Sequence, residues 1–540
     1  MTKRLAITIS GAVSLGSYEA GVLYEIVHAI GQHNVAPGTP PHERIEIDVI
    51  TGASAGGMSA TIAAQKLLFE AGALTGPYTN AFYQPWVADV SLEGLLAMHG
   101  SDDRTKSIFS SEHVADISRK HLTDRFQSHM DITRVRHAAS ARVLHLGLAL
   151  ANLNGVDYGR PMFPSGQFVY TRHQDELATW FDAENPADDV LDFWEPLRNA
   201  AVSCGAFPFA FRVVDVIRHA AEYADTGPLT PIAPTQKFAY TDGGTFQNQP
   251  LGLAKTLVDK IDHHLNSDSR FYLFVSPNSK GSTANAEFNA GTANYLEVGK
   301  RLLGSVLDQA QFQDWIMAAR VNAQIDRFNT SAVGLIESLR AQPAAADKLQ
   351  AAADLLLPSL VGQSNETLEA ARTRLQQQFP SEYRSLPDGA RAAWTDSVLV
   401  LETAAGLAEK DEMEIFGITA ADTELAGADA VAFAGFFDRR YREHDYDVGR
   451  AKAQQFLADP AVAGRLGPIR STPEAIHPID HSLDGLRLDG MDRNLRERLR
   501  DCLRDRGHEI LSEFGVGPAF VREIIDQALL KELLNKVLKL

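Results

Sequence analysis

Cysteine is almost absent from this sequence of 540 residues, which contains only Cys204 and Cys502. Two cysteines so far apart provide no disulfide framework of the kind that supports small secreted domains. They favour a reducing compartment in which both remain thiols. We therefore predict a cytoplasmic protein.

Long apolar runs are also missing, since no stretch approaches the roughly 18 to 20 uncharged apolar residues that a membrane-spanning helix needs. Residues 1–10 have a short basic start, but their apolar run breaks into a glycine-containing loop, which indicates a strand and not a signal peptide. Any membrane contact is therefore predicted to be peripheral. The amphipathic stretch 519–540 could either dock on the protein's own core or lie on a membrane.

Basic residues are few compared with acidic ones, 51 against 69, and the formal net charge is -18. A charge of this sign repels polyphosphates at long range, which argues against nucleic acid as a partner. The apolar fraction of 45% and the charged fraction of 22% are typical of a globular protein with a sizeable core. The length predicts two domains.

Two units of strand, loop and helix open the sequence. Apolar residues 5–9 predict a strand, which is followed by a glycine-marked loop and a helix, and residues 45–50 predict a second strand before a helix over 58–69. Such units predict an α/β fold with a largely parallel sheet. Further strands are predicted at 142–150, 167–171, 238–241 and 271–275. The patterns become helical after about residue 285, so we predict an α/β domain over 1–285 and a mostly helical domain over 286–540.

A candidate nucleophile lies in the pentapeptide Gly52-Ala53-Ser54-Ala55-Gly56. It fits the G-x-S-x-G elbow, in which a strained turn between a strand and a helix exposes a serine hydroxyl above the sheet. A strand is predicted before it and a helix after it, as the elbow requires. A glycine turn with an incidental serine is the alternative.

The loop of residues 10–16 lies between the first predicted strand and its helix, where backbone N–H groups can bind an anion. Hydrolysis of an ester passes through a tetrahedral oxyanion that such donors stabilise. We name the backbone N–H groups of Gly11, Ala12, Val13 and Ala55 as candidate donors. An ordinary turn between strand and helix is the alternative.

A candidate carboxylate, Asp242, ends another predicted strand and is followed by Gly243 and Gly244, which let a second loop approach closely. This position places the carboxylate at the same edge of the sheet as Ser54. Taken alone, Asp-Gly-Gly is more often a simple turn.

In this order, the three elements resemble the patatin-like phospholipases, which carry a glycine-rich oxyanion loop, a G-x-S-x-G elbow and a D-G-G/A motif. The resemblance covers roughly residues 4 to 280 and includes the small-residue stretch 200–211 and Asn248 and Pro250 behind the aspartate. It departs from the family at the loop, which usually reads G-G-G-x-R/K-G, because Ala12 and Val13 replace glycines and Leu15 replaces the basic residue.

The resemblance implies a three-layer α/β/α domain with a mainly parallel central sheet. The mostly helical domain that follows it is a candidate cap over the active site. It implies a serine lipid acyl hydrolase in which Asp242 alone accepts the Ser54 proton, with a lipid ester as substrate and no metal, nucleotide or organic cofactor. An ordinary aspartate is a weak base, so we expect this site to be partly desolvated. The resemblance leaves the headgroup, acyl position and protein partners open.

Two other functions remain open at this point. An α/β-hydrolase with a Ser-Asp-His triad would need one of the histidines that follow Asp242, of which the candidates are His263, His264, His444, His477 and His481. A catalytically impaired lipid-binding or scaffolding protein would be compatible with the altered loop. Residues 436–450 are rich in Arg, Tyr and acidic side chains, and we favour an intramolecular network there over a site for a lipid headgroup.

Overall fold

The structure is a computed structural model. It describes residues 2–103, 105–124, 134–162, 165–185, 191–261, 269–277, 288–289, 295–360, 367–407 and 413–487, with short pieces between 493 and 505. The helices within these residues are all too short or too polar to cross a membrane. The amphipathic stretch 519–540 and Cys502 lie outside the described residues.

One eight-stranded sheet forms the centre of the fold. Its strands are β1 (Lys3–Ile9), β2 (Ile45–Gly52), β3 (Ser140–Pro161), β4 (Gln167–Asp182), β5 (Val214–His219), β6 (Thr235–Asp242), β7 (Arg270–Ser276) and β8 (Ile415–Thr419). Their order is β5-β6-β3-β2-β1-β7-β8, and β4 pairs with β3. The pairs β1–β2, β2–β3 and β7–β8 are parallel, while β4 and β6 run antiparallel to β3 and β5 runs antiparallel to β6.

Fourteen α-helices lie in the described part of the chain. They are α1 (Gly16–Val35), α2 (Ala55–Phe69), α3 (Leu92–Leu96), α4 (Ser111–Ser118), α5 (Leu191–Cys204), α6 (Leu251–Ile261), α7 (Tyr295–Ala341), α8 (Ala346–Leu360), α9 (Leu368–Gln378), α10 (Pro380–Arg384), α11 (Asp388–Ala404), α12 (Asp429–Ala432), α13 (Arg439–Ala458) and α14 (Pro460–Leu466).

The predicted α/β fold is confirmed, and the strands that carry the motifs lie at its centre. From Leu5 onward β1 is continuously buried, as is β7, which is the pattern of strands covered on both faces. The four later strands that the sequence predicted are present, and β3 and β4 extend well beyond the predicted bounds. Two strands were not predicted: β5, and β8, which lies far along the chain among helical patterns.

The helices α1 and α13 cross at backbone contact. A Cβ on Gly21 would lie 2.1 Å from the Tyr446 carbonyl oxygen, and a Cβ on Gly449 would lie 2.1 Å from the Tyr18 carbonyl oxygen. The missing side chains therefore allow the two backbones to approach from both sides. This explains why α1 is buried almost all the way round.

The chain divides into two compact units, and the division differs from the predicted boundary near residue 285. Unit 1 contains residues 1–257, 271–314 and 415–540, and unit 2 contains residues 258–270 and 315–414. The prediction of a separate helical domain over 286–540 is wrong for residues 415–487, because β8 extends the central sheet and α13 covers α1. Unit 2 has its own core, in which the buried Trp394 donates its indole N–H to the Ala332 carbonyl oxygen at 2.9 Å.

Candidate active site

Ser54 occupies a strained turn between the end of β2 and the start of α2. Its φ of 52° lies in the left-handed region, which a serine adopts only when the surrounding structure imposes it. The flanking glycines allow this turn: a Cβ on Gly52 would lie 2.3 Å from the Gly56 carbonyl oxygen, and one on Gly56 would lie 2.3 Å from the Ser10 carbonyl oxygen. The local backbone is therefore that of a nucleophile elbow.

The structure brings Ser54 and Asp242 together. The Ser54 hydroxyl donates to Asp242 Oδ2 at 2.5 Å, and the Gly244 N–H donates to Asp242 Oδ1 at 2.7 Å. Asp242 is held from behind, because its own N–H donates to the Ala206 carbonyl oxygen at 3.0 Å. Gly243 is required by space, since a Cβ there would lie 1.9 Å from the Ala149 carbonyl oxygen.

Burial changes the acidity of this carboxyl group. Only 2% of Asp242 is exposed, and the loss of water raises its pKa to about 7, against the opposing effect of the bonds from Ser54 and Gly244. The expected desolvation of this aspartate is therefore present. A carboxyl with a pKa near neutrality can accept a proton and return it within one reaction cycle.

The loop after β1 faces the serine, but it supplies fewer free donors than expected. The Gly11 N–H already donates to the Asn248 carbonyl oxygen at 2.9 Å, so the expectation that it helps to bind an oxyanion is wrong in this conformation. In the part of the chain that is described, the N–H groups of Ala12, Val13 and Ala55 make no bond to another protein group. Those three donors remain candidates.

Val13 adopts a backbone conformation that suits glycine. Its φ is 52°, which is an outlier for a β-branched side chain. In the loop of the patatin-like phospholipases, which this sequence resembles, glycine usually occupies the corresponding position. Val13 therefore adopts a backbone conformation that glycine would adopt without strain.

Residues from the C-terminal part of unit 1 hold this loop in place. The Ser14 hydroxyl donates to the Ala432 carbonyl oxygen and accepts a bond from the Gly435 N–H at 3.1 Å. No pattern in the sequence predicts this contact, because more than 400 residues separate the partners. Asn248, which we noted in the sequence only as part of the similarity to the family, also supports the loop. Its side-chain amide donates to the Gly11 carbonyl oxygen at 3.3 Å.

Cys204 lies under the elbow as a buried free thiol. Its Sγ donates to the Ala149 carbonyl oxygen at 3.0 Å, and a Cβ on Gly57 would lie 2.4 Å from that sulfur. Burial raises the pKa of this thiol well above its usual value, and the nearby Asp242 raises it further. Cys204 is therefore a packing residue and not a candidate nucleophile.

An apolar pocket opens beside Ser54, with a cavity volume of about 90 Å³. Its walls come from α2, α4, α5 and the segments between them, and the Ser54 hydroxyl is one of the few polar groups that it contains. The lining residues include Val13, Met58, Ile62, Trp86, Leu122, Phe207, Phe211 and Phe436. Hydrocarbon is the chemistry that such walls accommodate.

The histidines proposed for a triad are engaged elsewhere. His444 contacts Asp445 and Asp484 at 3.1 and 2.9 Å, His481 contacts Asp484 at 2.9 Å, and the His477 ring stacks on Tyr78 at 3.8 Å. His263 and His264 lie outside the described residues. A different histidine, His121, lines the pocket, and its Nε2 contacts Asp89 at 2.5 Å.

The cluster at residues 436–450 forms an intramolecular network, as predicted. Arg450 is fully buried and donates to Glu25 Oε1 at 2.7 Å and to the Tyr78 hydroxyl at 2.9 Å. The guanidinium of Arg442 donates to the carbonyl oxygens of Val87 and Gly435 at 3.2 and 3.0 Å. These charges are used to brace α13 within unit 1, which leaves no free cation for a headgroup at these two arginines.

Comparison with known proteins gives two similarities. Residues 7–255 match the family model described as patatin-like phospholipase. An uncharacterized protein of Sinorhizobium fredii (strain NBRC 101917 / NGR234), y4iI, is 23% identical over 413 residues, which cover 61% of this chain and 57% of the relative. The chain thus spans little more than half the length of that relative.

Proposed function

Residues 7–255 of this chain belong to the patatin-like phospholipase family, and from that premise we propose that the protein hydrolyses carboxylic esters of lipids through an acyl-Ser54 intermediate. Membership of the family indicates a lipid acyl hydrolase. The assignment of Ser54 as nucleophile and Asp242 as its general base rests on one observation, the direct bond of 2.5 Å between the Ser54 hydroxyl and the buried Asp242 carboxylate.

Acylation begins when the ionised Asp242 accepts the proton of the Ser54 hydroxyl as its oxygen attacks the ester carbonyl. Negative charge develops on the carbonyl oxygen, and the N–H groups of Ala12, Val13 and Ala55 are the donors that would stabilise it. Collapse of the tetrahedral intermediate breaks the ester bond, and the protonated Asp242 gives its proton to the departing alcohol. Ser54 then carries the acyl group.

Deacylation uses the same carboxylate. Asp242 accepts a proton from a water molecule as the water oxygen attacks the acyl carbonyl, and it returns that proton to Ser54 Oγ as the fatty acid leaves. The pKa of about 7 supports both halves of the cycle, because burial of Asp242 makes it a stronger base than an ordinary carboxylate. The apolar pocket beside Ser54 would hold the hydrocarbon of the acyl group.

The first test is release of fatty acid from phospholipids, lysophospholipids and neutral esters. We expect Ser54→Ala and Asp242→Asn to reduce turnover by roughly 10³-fold or more, as removal of a member of a catalytic unit does in serine hydrolases. A fluorophosphonate probe should label the wild type and not Ser54→Ala.

The control is Ser482→Ala, at an exposed turn far along the chain from the site residues. Among the residues that the structure describes, the Ser482 hydroxyl donates only to Asp480. This variant should retain wild-type turnover. If the wild type neither cleaves any ester nor takes the label, the proposed hydrolase is wrong and a lipid-binding or scaffolding role becomes the better interpretation.

A further inference from the structure

A turn beside the pocket carries an exposed phenylalanine at its apex. The turn spans residues 207–211 and is closed by the Phe211 N–H, which donates to the Phe207 carbonyl oxygen at 3.0 Å. Phe207 and Phe211 at its base both line the apolar pocket, whereas Phe209 at the apex is 74% exposed. The base of this turn therefore lies at the pocket and its apex lies in solvent.

The backbone of this apex is strained. Phe209 has a φ of 69°, a conformation that bulky side chains rarely adopt. Three other described non-glycine residues have positive φ: Val13 and Ser54 lie in the site, and Ala432 accepts the bond from Ser14. Strain of this kind persists where the surrounding structure imposes it, and it concentrates at functional positions. Phe209 is the member of this set for which the proposed reaction gives no role.

Backbone hydrogen bonds and aromatic contacts hold the turn in place. The N–H groups of Ile108 and Phe109 donate to the carbonyl oxygens of Phe209 and Ala210 at 3.0 and 2.9 Å. The rings of Phe109 and Phe433 pack against those of Phe211 and Phe207. The Phe209 side chain is thus pushed outward while every neighbouring aromatic ring is at least partly buried.

From these observations we propose that the turn at residues 207–211 docks on a lipid surface, into which Phe209 inserts. This proposal rests on the proposed lipid hydrolysis and names how the site reaches its substrate. An aromatic ring that enters the interface next to the pocket gives an acyl chain a continuous apolar route from the lipid layer to Ser54.

Charge favours an uncharged or zwitterionic layer. Among the residues that the structure describes, two cations near the turn are paired: Lys106 contacts Asp103 at 3.0 Å, and Arg212 lies 3.8 Å from Glu112. The net charge of the chain is -18. Attraction to the surface must therefore come from apolar insertion, and phosphatidylcholine vesicles are the appropriate probe.

The test compares Phe209→Asn with Phe209→Leu in the full-length protein. Asparagine tolerates positive φ, so the first variant removes the apolar ring without adding backbone strain, while the second keeps an apolar side chain. Val35→Ser is the matched control, because Val35 is 69% exposed and lies at the C-terminal end of the 20-residue helix α1, whose N-terminal end follows the loop beside Ser54.

We expect Phe209→Asn to bind phosphatidylcholine vesicles about tenfold more weakly than the wild type in a sedimentation assay, since that is the effect of losing one partly inserted aromatic side chain. Phe209→Leu should bind nearly normally, and Val35→Ser should match the wild type. The rate on vesicular lipid should fall with binding, whereas the rate on a short-chain ester in free solution should not change.

Vesicle binding does not depend on catalysis, so Ser54→Ala should bind as well as the wild type even if the proposed hydrolysis is wrong. Unchanged vesicle binding by Phe209→Asn would overturn the docking proposal. If Phe209→Asn also changed the protein from a dimer to a monomer while vesicle binding stayed the same, the apex would be a contact between two copies of the chain. That result would also overturn the docking proposal.

Discussion

At the scale of single residues, the environment of the Asp242 carboxyl determines the protonation chemistry of the site. The carboxyl accepts two hydrogen bonds, which favour its charged form, yet burial dominates and raises its pKa to about 7. In water an aspartate ionises near pH 3.9. The folded protein therefore retains a proton on this residue at pH values where the unfolded chain has released it.

This difference predicts how Asp242→Asn alters the free energy of unfolding. Because the pKa is raised on folding, the contribution of Asp242 to stability is present below about pH 4 and is lost as the pH rises through about 7. Asparagine does not ionise and lacks this loss. Between pH 5 and pH 8, we expect the variant to gain roughly 2–3 kcal/mol relative to the wild type.

Denaturant unfolding of both proteins at the two pH values measures this gain. A difference between variant and wild type that is the same at pH 5 and pH 8 would show that the Asp242 carboxyl ionises in the folded protein as it does in water.

Val13 shows how a residue can depart from a motif without losing the backbone that the motif provides. A side chain at φ 52° costs free energy, on the order of 1–3 kcal/mol, which glycine would not incur. Unlike glycine, valine has a side chain, and that of Val13 lines the pocket beside Ser54. The altered loop is therefore compatible with the same N–H geometry and a more apolar wall.

At the scale of elements, the crossing of α1 and α13 is the contact most sensitive to side-chain size. Gly21 and Gly449 face the backbone of the opposite helix at distances where no Cβ fits. Close to this crossing, Arg450 donates to Glu25 in a fully buried ion pair. The glycines set the distance between the helices, and the ion pair then has the geometry that a buried pair requires.

We expect Gly449→Ala to lower the free energy of unfolding by roughly 1–3 kcal/mol or more, because the new methyl group meets rigid backbone that can move only if the helices separate. The matched control is Gly464→Ala in α14, where an added Cβ meets nothing within 4 Å. Alanine should stabilise that helix by about 0.5–1 kcal/mol.

Thermal and denaturant unfolding of the two variants test this difference. Equal stability changes at Gly449 and Gly464 would contradict the role of the crossing, since helix propensity alone would then account for both.

At the scale of the whole molecule, the N-terminal α/β part makes extensive contacts with residues beyond 414. Its edge strand β7 pairs with β8, α1 is covered by α13, and Ser14 in the loop that faces Ser54 bonds residues 432 and 435. The C-terminal residues also supply Phe436 to the pocket wall. Removal of these residues would expose apolar surface and leave Glu25 without the Arg450 that compensates its buried charge.

A fragment of residues 1–285 should therefore show no cooperative thermal transition and should cleave no ester. The 540-residue chain should unfold cooperatively and, according to the proposed function, cleave the ester. Circular dichroism and the short-chain ester assay make the comparison. A fragment that unfolds cooperatively and retains turnover would show that the segment 415–487 is dispensable.

The sequence alone determined the parts of this protein that depend on neighbours along the chain. The elbow at Ser54 and the Asp-Gly-Gly turn place glycine where close packing of the backbone requires it, and apolar runs marked the strands around them. The order of these motifs, together with their resemblance to one family, was enough to predict that Ser54 and Asp242 share an edge of the sheet.

Only the tertiary structure decided what depends on distant partners. Three features join segments that lie more than 100 residues apart: the bond from Gly11 to Asn248, the support of Ser14 by residues 432 and 435, and the pairing of β8 with β7. No periodicity records such pairings, because they are selected by complementary packing over the whole fold. For the same reason, the rise of the Asp242 pKa follows from burial by several segments and not from the residues beside it.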